Sequence, residues 1–291
     1  MNLLKNIPIV RQRHPGLGLQ QPFEVVWESH TGSEKNWHGD MHYALQFCLI
    51  LHGEVEVRFS DFQRRYQEGE IWWTMFWEPH AFRFLGKHNF ILAANLDFDH
   101  IGNCDPFGSN NWLLPFVTAP ALRYCPDTPD ERQEVLRIGQ TLLHHWNKRP
   151  TNWKLRDWLT IHELLLTAID RLNTQSDTVP ATASAERFRK ISPAVNLVRS
   201  SSGRPPELAA AAAECRLSVS RFSELFRQTF SLSYGKFAAR SRLAAAARDL
   251  KSNNLDIEEV ANKWGFYDSS HFYHAFQELY GCTPKQYQQS H

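Results

Sequence analysis

The chain has 291 residues, enough for about two domains with separate cores. Its 42% apolar and 22% charged content excludes wholesale disorder, and a formal net charge of +1 by itself argues against a nucleic-acid or membrane protein. That total hides a split: residues 187–291 carry 15 basic and 9 acidic side chains (+6), and residues 1–186 carry 17 basic and 22 acidic (−5), an asymmetry that marks a nucleic-acid-binding part joined to something else.

Residues 22–100 read as β-structure. Short runs rich in Val, Ile, Phe, Trp and Tyr are separated by turn residues: Phe23–Trp27, Tyr43–Leu51 ending at His52-Gly53, Glu54–Phe59, Ile71–Trp77, Ala81–Leu85 and Phe90–Leu96. In Glu54–Phe59 the alternation predicts Val55, Val57 and Phe59 inward and Glu54, Glu56 and Arg58 outward. Strands at this spacing suggest a small barrel or sandwich.

Helical periodicity follows. Asp130–Trp146 places Val135, Ile138, Leu142 and Leu143 on one side, and Lys154–Leu172 carries a broad apolar stripe from Leu155 to Leu172. The stripes are wide enough to pack on each other and on a second copy. Residues 173–187 are polar, Thr/Ser/Ala-rich and hold Pro180, which predicts an interdomain linker.

The last hundred residues hold an internal repeat. Leu208-x3-Ala212 matches Ile257-x3-Ala261 at an offset of 49, and Ser220-x-Phe222-x-x-Leu225-Phe226 matches Ser270-x-Phe272-x-x-Ala275-Phe276 at an offset of 50. The extra residue falls in the turn, Cys215-Arg216-Leu217-Ser218 against Trp264-Gly265-Phe266-Tyr267-Asp268. Each copy therefore predicts a helix, a tight turn, an N-cap and a second helix, which is a helix-turn-helix. A long helix, Tyr234–Lys251, joins the copies, with Asn253-Asn254 as its stop.

The second helix of such a unit enters the DNA major groove, and two joined units can occupy successive grooves. With Phe222, Phe226, Phe272 and Phe276 inward, the groove-facing candidates of the first unit are Ser218, Ser220, Arg221, Ser223, Glu224 and Arg227. Those of the second are Asp268, Ser269, Ser270, His271, Tyr273, His274 and Gln277. Arg pairs bidentately with guanine and Glu accepts from cytosine.

The five cysteines are widely spaced with no C-x-x-C, which fits reduced thiols in a cytoplasmic protein. The N-terminus lacks the apolar core of a signal peptide, and no apolar run approaches the ~20 residues of a membrane span, so no membrane partner is expected.

The run Ile257-x3-Ala261-x3-Gly265-Phe266-x3-Ser270-x-Phe272-x3-Phe276-x4-Gly281-x-Thr283-Pro284-x2-Tyr287 resembles the AraC/XylS family of bacterial transcription regulators. The first half follows through Leu208, Ala212, Ser218, Phe222, Phe226, Phe237, Arg242, Ala246 and Leu250. Ser231, Arg216 and Gln288 depart from the family's usual Gly, small turn residue and basic residue. The resemblance implies an α+β chain of two domains. These are an N-terminal antiparallel cupin-like barrel with trailing helices and a C-terminal all-α double helix-turn-helix. The expected boundaries are 1–120 for an effector-binding β domain, 121–173 for a helical dimerisation segment, 174–190 for a linker and 191–291 for DNA binding.

The segments His42–Phe47, Leu51-His52-Gly53, Tyr66-x2-Gly69-Glu70 and Glu78-Pro79-His80 resemble cupin segments in position. His38, His42 and His80 offer nitrogen ligands, but Gln46 stands where the acidic ligand would be, so neither metal nor cofactor is expected. His38, His42, Gln46, Trp72, Trp73, Trp77 and His80 are instead the candidate lining of a pocket for a small polar effector such as a sugar. The expected protein is a non-enzymatic, homodimeric transcriptional activator that binds promoter DNA and contacts RNA polymerase. The alternatives are a metal-dependent cupin enzyme fused to a DNA-binding module and a ligand-independent dimeric DNA-binding protein.

Overall fold

The computed structural model describes residues 2–289 apart from 12–16, 18–20, 99, 102–104, 106, 108–110, 175–178, 202, 231, 253 and 254. The chain divides into two compact units, Met1–Ser184 and Ala185–His291.

The first unit is built on two sheets. Its strands are β1 (Ile9–Arg11), β2 (Phe23–Thr31), β3 (His38–Met41), β4 (Leu45–His52), β5 (Glu54–Arg58), β6 (Gln63–Gln67), β7 (Ile71–Thr74), β8 (His80–Phe84) and β9 (His88–Leu96). One sheet runs β1-β3-β8-β5-β6 and the other β2-β9-β4-β7. Every described pairing is antiparallel except β1 with β3.

Register decides which residues face the second sheet. Across β7, β4 and β9, Cys48 lies between Trp72 and Ala93, and two residues along the same face Gln46 lies between Thr74 and Asn95. Cys48, Ile50, Trp72, Ile91 and Ala93 pack with Val55, Val57, Phe59, Tyr66 and Phe84 in one buried cluster between the sheets. The other face of β4 is buried too, with Leu45, Phe47 and Leu49 fully enclosed. Burial on both faces is why this strand reads as a continuous apolar run instead of an alternation.

Two expectations need correction in this unit. Glu56 does not face solvent: only 3% of it is exposed. Arg83 pairs with it at 2.6 Å, Gln63 Nε2 donates to it at 2.7 Å and Arg65 Nε at 3.4 Å, so a charged group is enclosed among cationic and amide donors. The alternation also ends sooner than expected, since β7 stops at Thr74 rather than Trp77. Between β4 and β5 the chain turns at Gly53, whose φ is +88°; a Cβ there would lie 2.3 Å from the His88 carbonyl oxygen.

Helices follow the strands: α1 (Leu114–Val117), α2 (Pro129–Lys148) and α3 (Trp153–Thr174). Thr128 and Glu131 form a capping box at the start of α2, with Pro129 at its first position. The α2–α3 pair is tied by His145 Nδ1 to buried Asp157 Oδ1 at 2.6 Å, and Asp157 is held above its usual carboxylate range mainly by burial.

The stretch expected to be a linker, 174–190, is helical from Val179 onward: α4 spans Val179–Ser200. Its Ala content favours helix, and Pro180 sits in the first turn, where the missing N–H costs nothing. The division between the units, 184/185, falls inside this helix.

The second unit continues with α5 (Leu208–Glu214), α6 (Val219–Phe230), α7 (Tyr234–Ser252), α8 (Ile257–Lys263), α9 (Ser269–Tyr280) and α10 (Pro284–Gln289). Phe222, Phe226, Phe237, Phe272 and Phe276 are all fully buried, each contributing roughly 3 kcal/mol of apolar transfer. The buried Ala244–Ala247 run of α7 lets neighbouring helices approach closely. Ser231, Asn253 and Asn254 lie outside the described residues.

Candidate nucleic-acid interface and buried polar cluster

The two turns of the C-terminal unit are built from the same bonds. In the first, Cys215 N–H donates to Ala211 O, Arg216 N–H to Ala213 O and Leu217 N–H to Ala212 O, at 3.3, 2.9 and 3.0 Å. In the second, Trp264, Gly265 and Phe266 donate to Val260, Asn262 and Ala261, at 3.1, 3.0 and 3.0 Å. Both turns need a left-handed residue, at φ +54° for Arg216 and +65° for Gly265. A Cβ on Gly265 would lie 2.8 Å from the Arg204 backbone nitrogen, so space as well as conformation requires glycine there.

Each following helix begins at its expected N-cap. Ser218 Oγ accepts from Arg221 N–H at 3.3 Å, and Asp268 Oδ1 accepts from His271 N–H at 2.6 Å. With the phenylalanines inward, the opposite faces of α6 and α9 are open. Ser218, Ser220, Arg221, Glu224 and Arg227 are exposed and Ser223 is half-buried. Asp268, Ser270, His271, His274 and Gln277 are exposed, while Ser269 and Tyr273 are half-buried. On α6, Arg221 pairs with Glu224 at 2.7 Å, and Gln228 Nε2 donates to the same carboxylate at 3.2 Å.

Two features of this surface were missed from sequence. Tyr267 is 93% exposed, next to the N-cap of α9. It is the residue by which the second turn exceeds the first, so the change of offset was its signal. Arg242 of α7 lies 4.0 Å from the Phe266 ring and its Nη1 donates to Gly265 O at 3.3 Å, anchoring the second turn to the connecting helix. Burial, with the nearby Arg204 charge, lowers the Arg242 pKa from its usual value.

Residues 211–290 match the family described as "Helix-turn-helix domain". The C-terminal unit thus carries a helix-turn-helix domain. The chain is similar to part of the HTH-type transcriptional regulator AlkR of Acinetobacter baylyi, 30% identical over 86 residues, 30% of this chain and 28% of that protein. It is also similar to the HTH-type transcriptional activator RhaR of Mannheimia succiniciproducens, 28% identical over 72 residues, 25% of this chain and 26% of that protein. The matched stretch thus spans about a quarter of the length of these relatives. Over nearly the whole chain the fold is similar to ToxT of Vibrio cholerae, with a TM-score of 0.53 at 11% identity, covering 92% of this chain and 97% of that one. This likeness bears out a two-domain α+β fold, an N-terminal antiparallel β part with a helical C-terminal part. Among the described residues no helix is long and apolar enough to cross a membrane.

The N-terminal candidates separate. Gln46 and Trp72 lie on the face of their sheet that looks toward the other sheet, and Gln46 Nε2 donates to Asn95 Oδ1 at 2.8 Å. His42 and His80 are fully enclosed and sit edge to face with ring centroids 5.3 Å apart. His38 does not join them: it is exposed, bonded to Glu34 at 2.9 Å and stacked on Phe82. Trp73 alternates to the opposite face, where it packs on Phe47 and Phe116 and its Nε1 donates to Tyr124 O at 2.8 Å. Trp77 is buried beyond the end of β7 at φ +58°, against Tyr43. Sequence reasoning missed Asp40, Thr74 and Asn95, all buried. Asp40 pairs across strands with His80, and Thr74 and Asn95 flank Gln46. Polar residues inside otherwise apolar strands were the available signal. Burial first, and then the charge of Asp40, push the Cys48 thiol well above its usual range.

Proposed function

We propose that this chain is a DNA-binding transcriptional regulator whose N-terminal β unit binds a small polar effector. The observation that carries the first part is the duplicated helix-turn-helix, with its phenylalanines fully buried and its polar faces on α6 and α9 open. Arg221, Glu224 and Arg227 suit base-edge recognition from the first unit. His271, His274 and Gln277, with Ser270, give the second unit a reading face of imidazole, amide and hydroxyl groups. Two units on one chain suit an asymmetric site across successive major grooves. Selection of bound fragments from random duplex DNA, followed by footprinting, tests this. A protected segment of two patches about one helical turn apart is expected; salt-independent or sequence-indifferent binding would sink the reading.

The effector reading rests on the polar side chains His42, Gln46, Thr74, His80 and Asn95 enclosed between apolar sheets. Enclosed hydrogen-bonding groups of this kind suit a neutral polar ligand. Residues 1–120 then serve as the effector unit and 121–173 as the segment through which two copies associate. Leu155 and Leu159, 59% and 56% exposed on α3, support that second role. Such a protein acts in the cytoplasm, on promoter DNA, and as an activator it also meets RNA polymerase. A thermal-shift screen with sugars and sugar acids should give at least one compound that raises the melting temperature and alters the footprint. Light scattering should give a dimer, and Leu159→Glu a monomer.

A further inference from the structure

Three side chains deep in the β unit bring metal-ligating atoms together. Asp40, His42 and His80 each offer one such atom, and the three atoms lie within 4.8 Å of one another. Their exposures are 5%, 0% and 1%, so the group is inside the fold rather than on an acidic surface. His80 Nε2 stands 4.0 Å from Asp40 Oδ2.

The histidine tautomers are set by the backbone. His42 Nδ1 lies 2.9 Å from the Ala44 carbonyl oxygen, and His80 Nδ1 lies 3.0 Å from that of Glu78. A carbonyl oxygen only accepts, so each Nδ1 carries the proton and donates it. In the neutral ring, the form that binds a metal, the lone pair is then on Nε2, directed away from that bond. A metal-binding imidazole needs this arrangement, with the far nitrogen pinned by an outer partner and the near one deprotonated.

We infer that Asp40, His42 and His80 form a binding site for one divalent transition-metal ion, held by two imidazole Nε2 atoms and one carboxylate oxygen. That donor set suits zinc, ferrous iron, cobalt or nickel rather than calcium or magnesium, which prefer oxygen alone. Bonds of about 2.0–2.2 Å require the three donor atoms to draw together by roughly an ångström, a movement within reach of side-chain rotation. Three protein donors leave at least one coordination position open for water or for a ligand oxygen. The site is independent of the DNA-binding reading, which neither needs nor supplies a metal.

Chelator-treated full-length protein titrated with cobalt(II) tests the inference. One ion per chain is expected, with a visible d–d spectrum of mixed nitrogen and oxygen ligation. Asp40→Asn and His80→Gln should each weaken binding by at least tenfold, with circular dichroism of the metal-free protein unchanged. His38→Gln, at the exposed histidine outside the group, should bind as the unaltered chain does. Should the buried variants fail to fold, proton NMR of the unaltered cobalt protein decides: two exchangeable, hyperfine-shifted imidazole N–H signals are expected from the Nδ1 protons of His42 and His80. No stoichiometric uptake, equal uptake by the folded Asp40 and His80 variants, or absence of both shifted N–H signals would overturn the site.

Discussion

The two helix-turn-helix units share one skeleton and differ in nearly everything laid over it. Residue for residue, both turns use the same three backbone hydrogen bonds, and both second helices pack two phenylalanines at i and i+4. The first unit holds its left-handed turn with Arg216, against its conformational preference, where the second uses Gly265. Helix α5 has no side-chain cap at Glu207, whereas α8 has a full capping box from Asp256 and Glu259. The first recognition face is charged, with Arg221, Glu224 and Arg227; the second carries serine, histidine and glutamine and follows an exposed tyrosine. Packing and backbone bonding thus fix the shape twice, while each open face is free to carry its own chemistry.

The largest effect expected from breaking this equivalence is in the core. Phe226→Ala and Phe276→Ala should each destabilise the unit by about 3–5 kcal/mol in urea unfolding, because each leaves a large cavity among fully buried rings. A loss under about 1 kcal/mol for either would mean that the two cores are not counterparts.

At the turns the units should respond unequally. Gly265→Ala should cost about 1–3 kcal/mol, from a disfavoured φ together with the contact to the Arg204 backbone. Arg216→Gly removes strain of the same kind but loosens the unfolded chain. It should therefore move stability by no more than about 1 kcal/mol, toward greater stability. Denaturant midpoints measured at a common slope would separate these outcomes.

The reading faces should differ in how they lose DNA affinity. Arg227→Ala should weaken binding by about 1–3 kcal/mol if it meets a base, relaxing the preference at one position. If Arg227 meets a phosphate instead, the salt slope should fall by about 1 across all sequences. His274→Ala should relax the preference at one position if it meets a base edge. The smallest expected effects are at the caps. Asp268→Ala should cost about 1 kcal/mol of stability and Ser218→Ala somewhat less, given its longer 3.3 Å bond.

The C-terminal unit was legible because its information is local. Phenylalanine spacing, N-cap residues and the offset of the repeat are all read within a dozen residues. The long helix expected at Tyr234–Lys251 is observed to within a residue, as α7. The helical form of the expected linker was not legible because composition was weighed above the helix-forming tendency of its alanines. In the β unit the apolar runs located six strands. Three others were missed: β1, the short β3, and β6, whose Gln63–Gln67 sequence carries no apolar period.

What the sequence determined by itself was the duplicated helix-turn-helix architecture, since a 3.6-residue period and a capped turn specify such a unit without reference to distant segments. Which polar groups of the β unit meet was decided only by tertiary structure. Strand register brings Asp40 opposite His80, leaves His38, two residues earlier in the same strand, exposed beside Glu34, and sets Gln46 between Thr74 and Asn95. Pairing between strands up to 49 positions apart fixes these contacts, and a shift of one residue in a strand's register would exchange that strand's inner and outer faces.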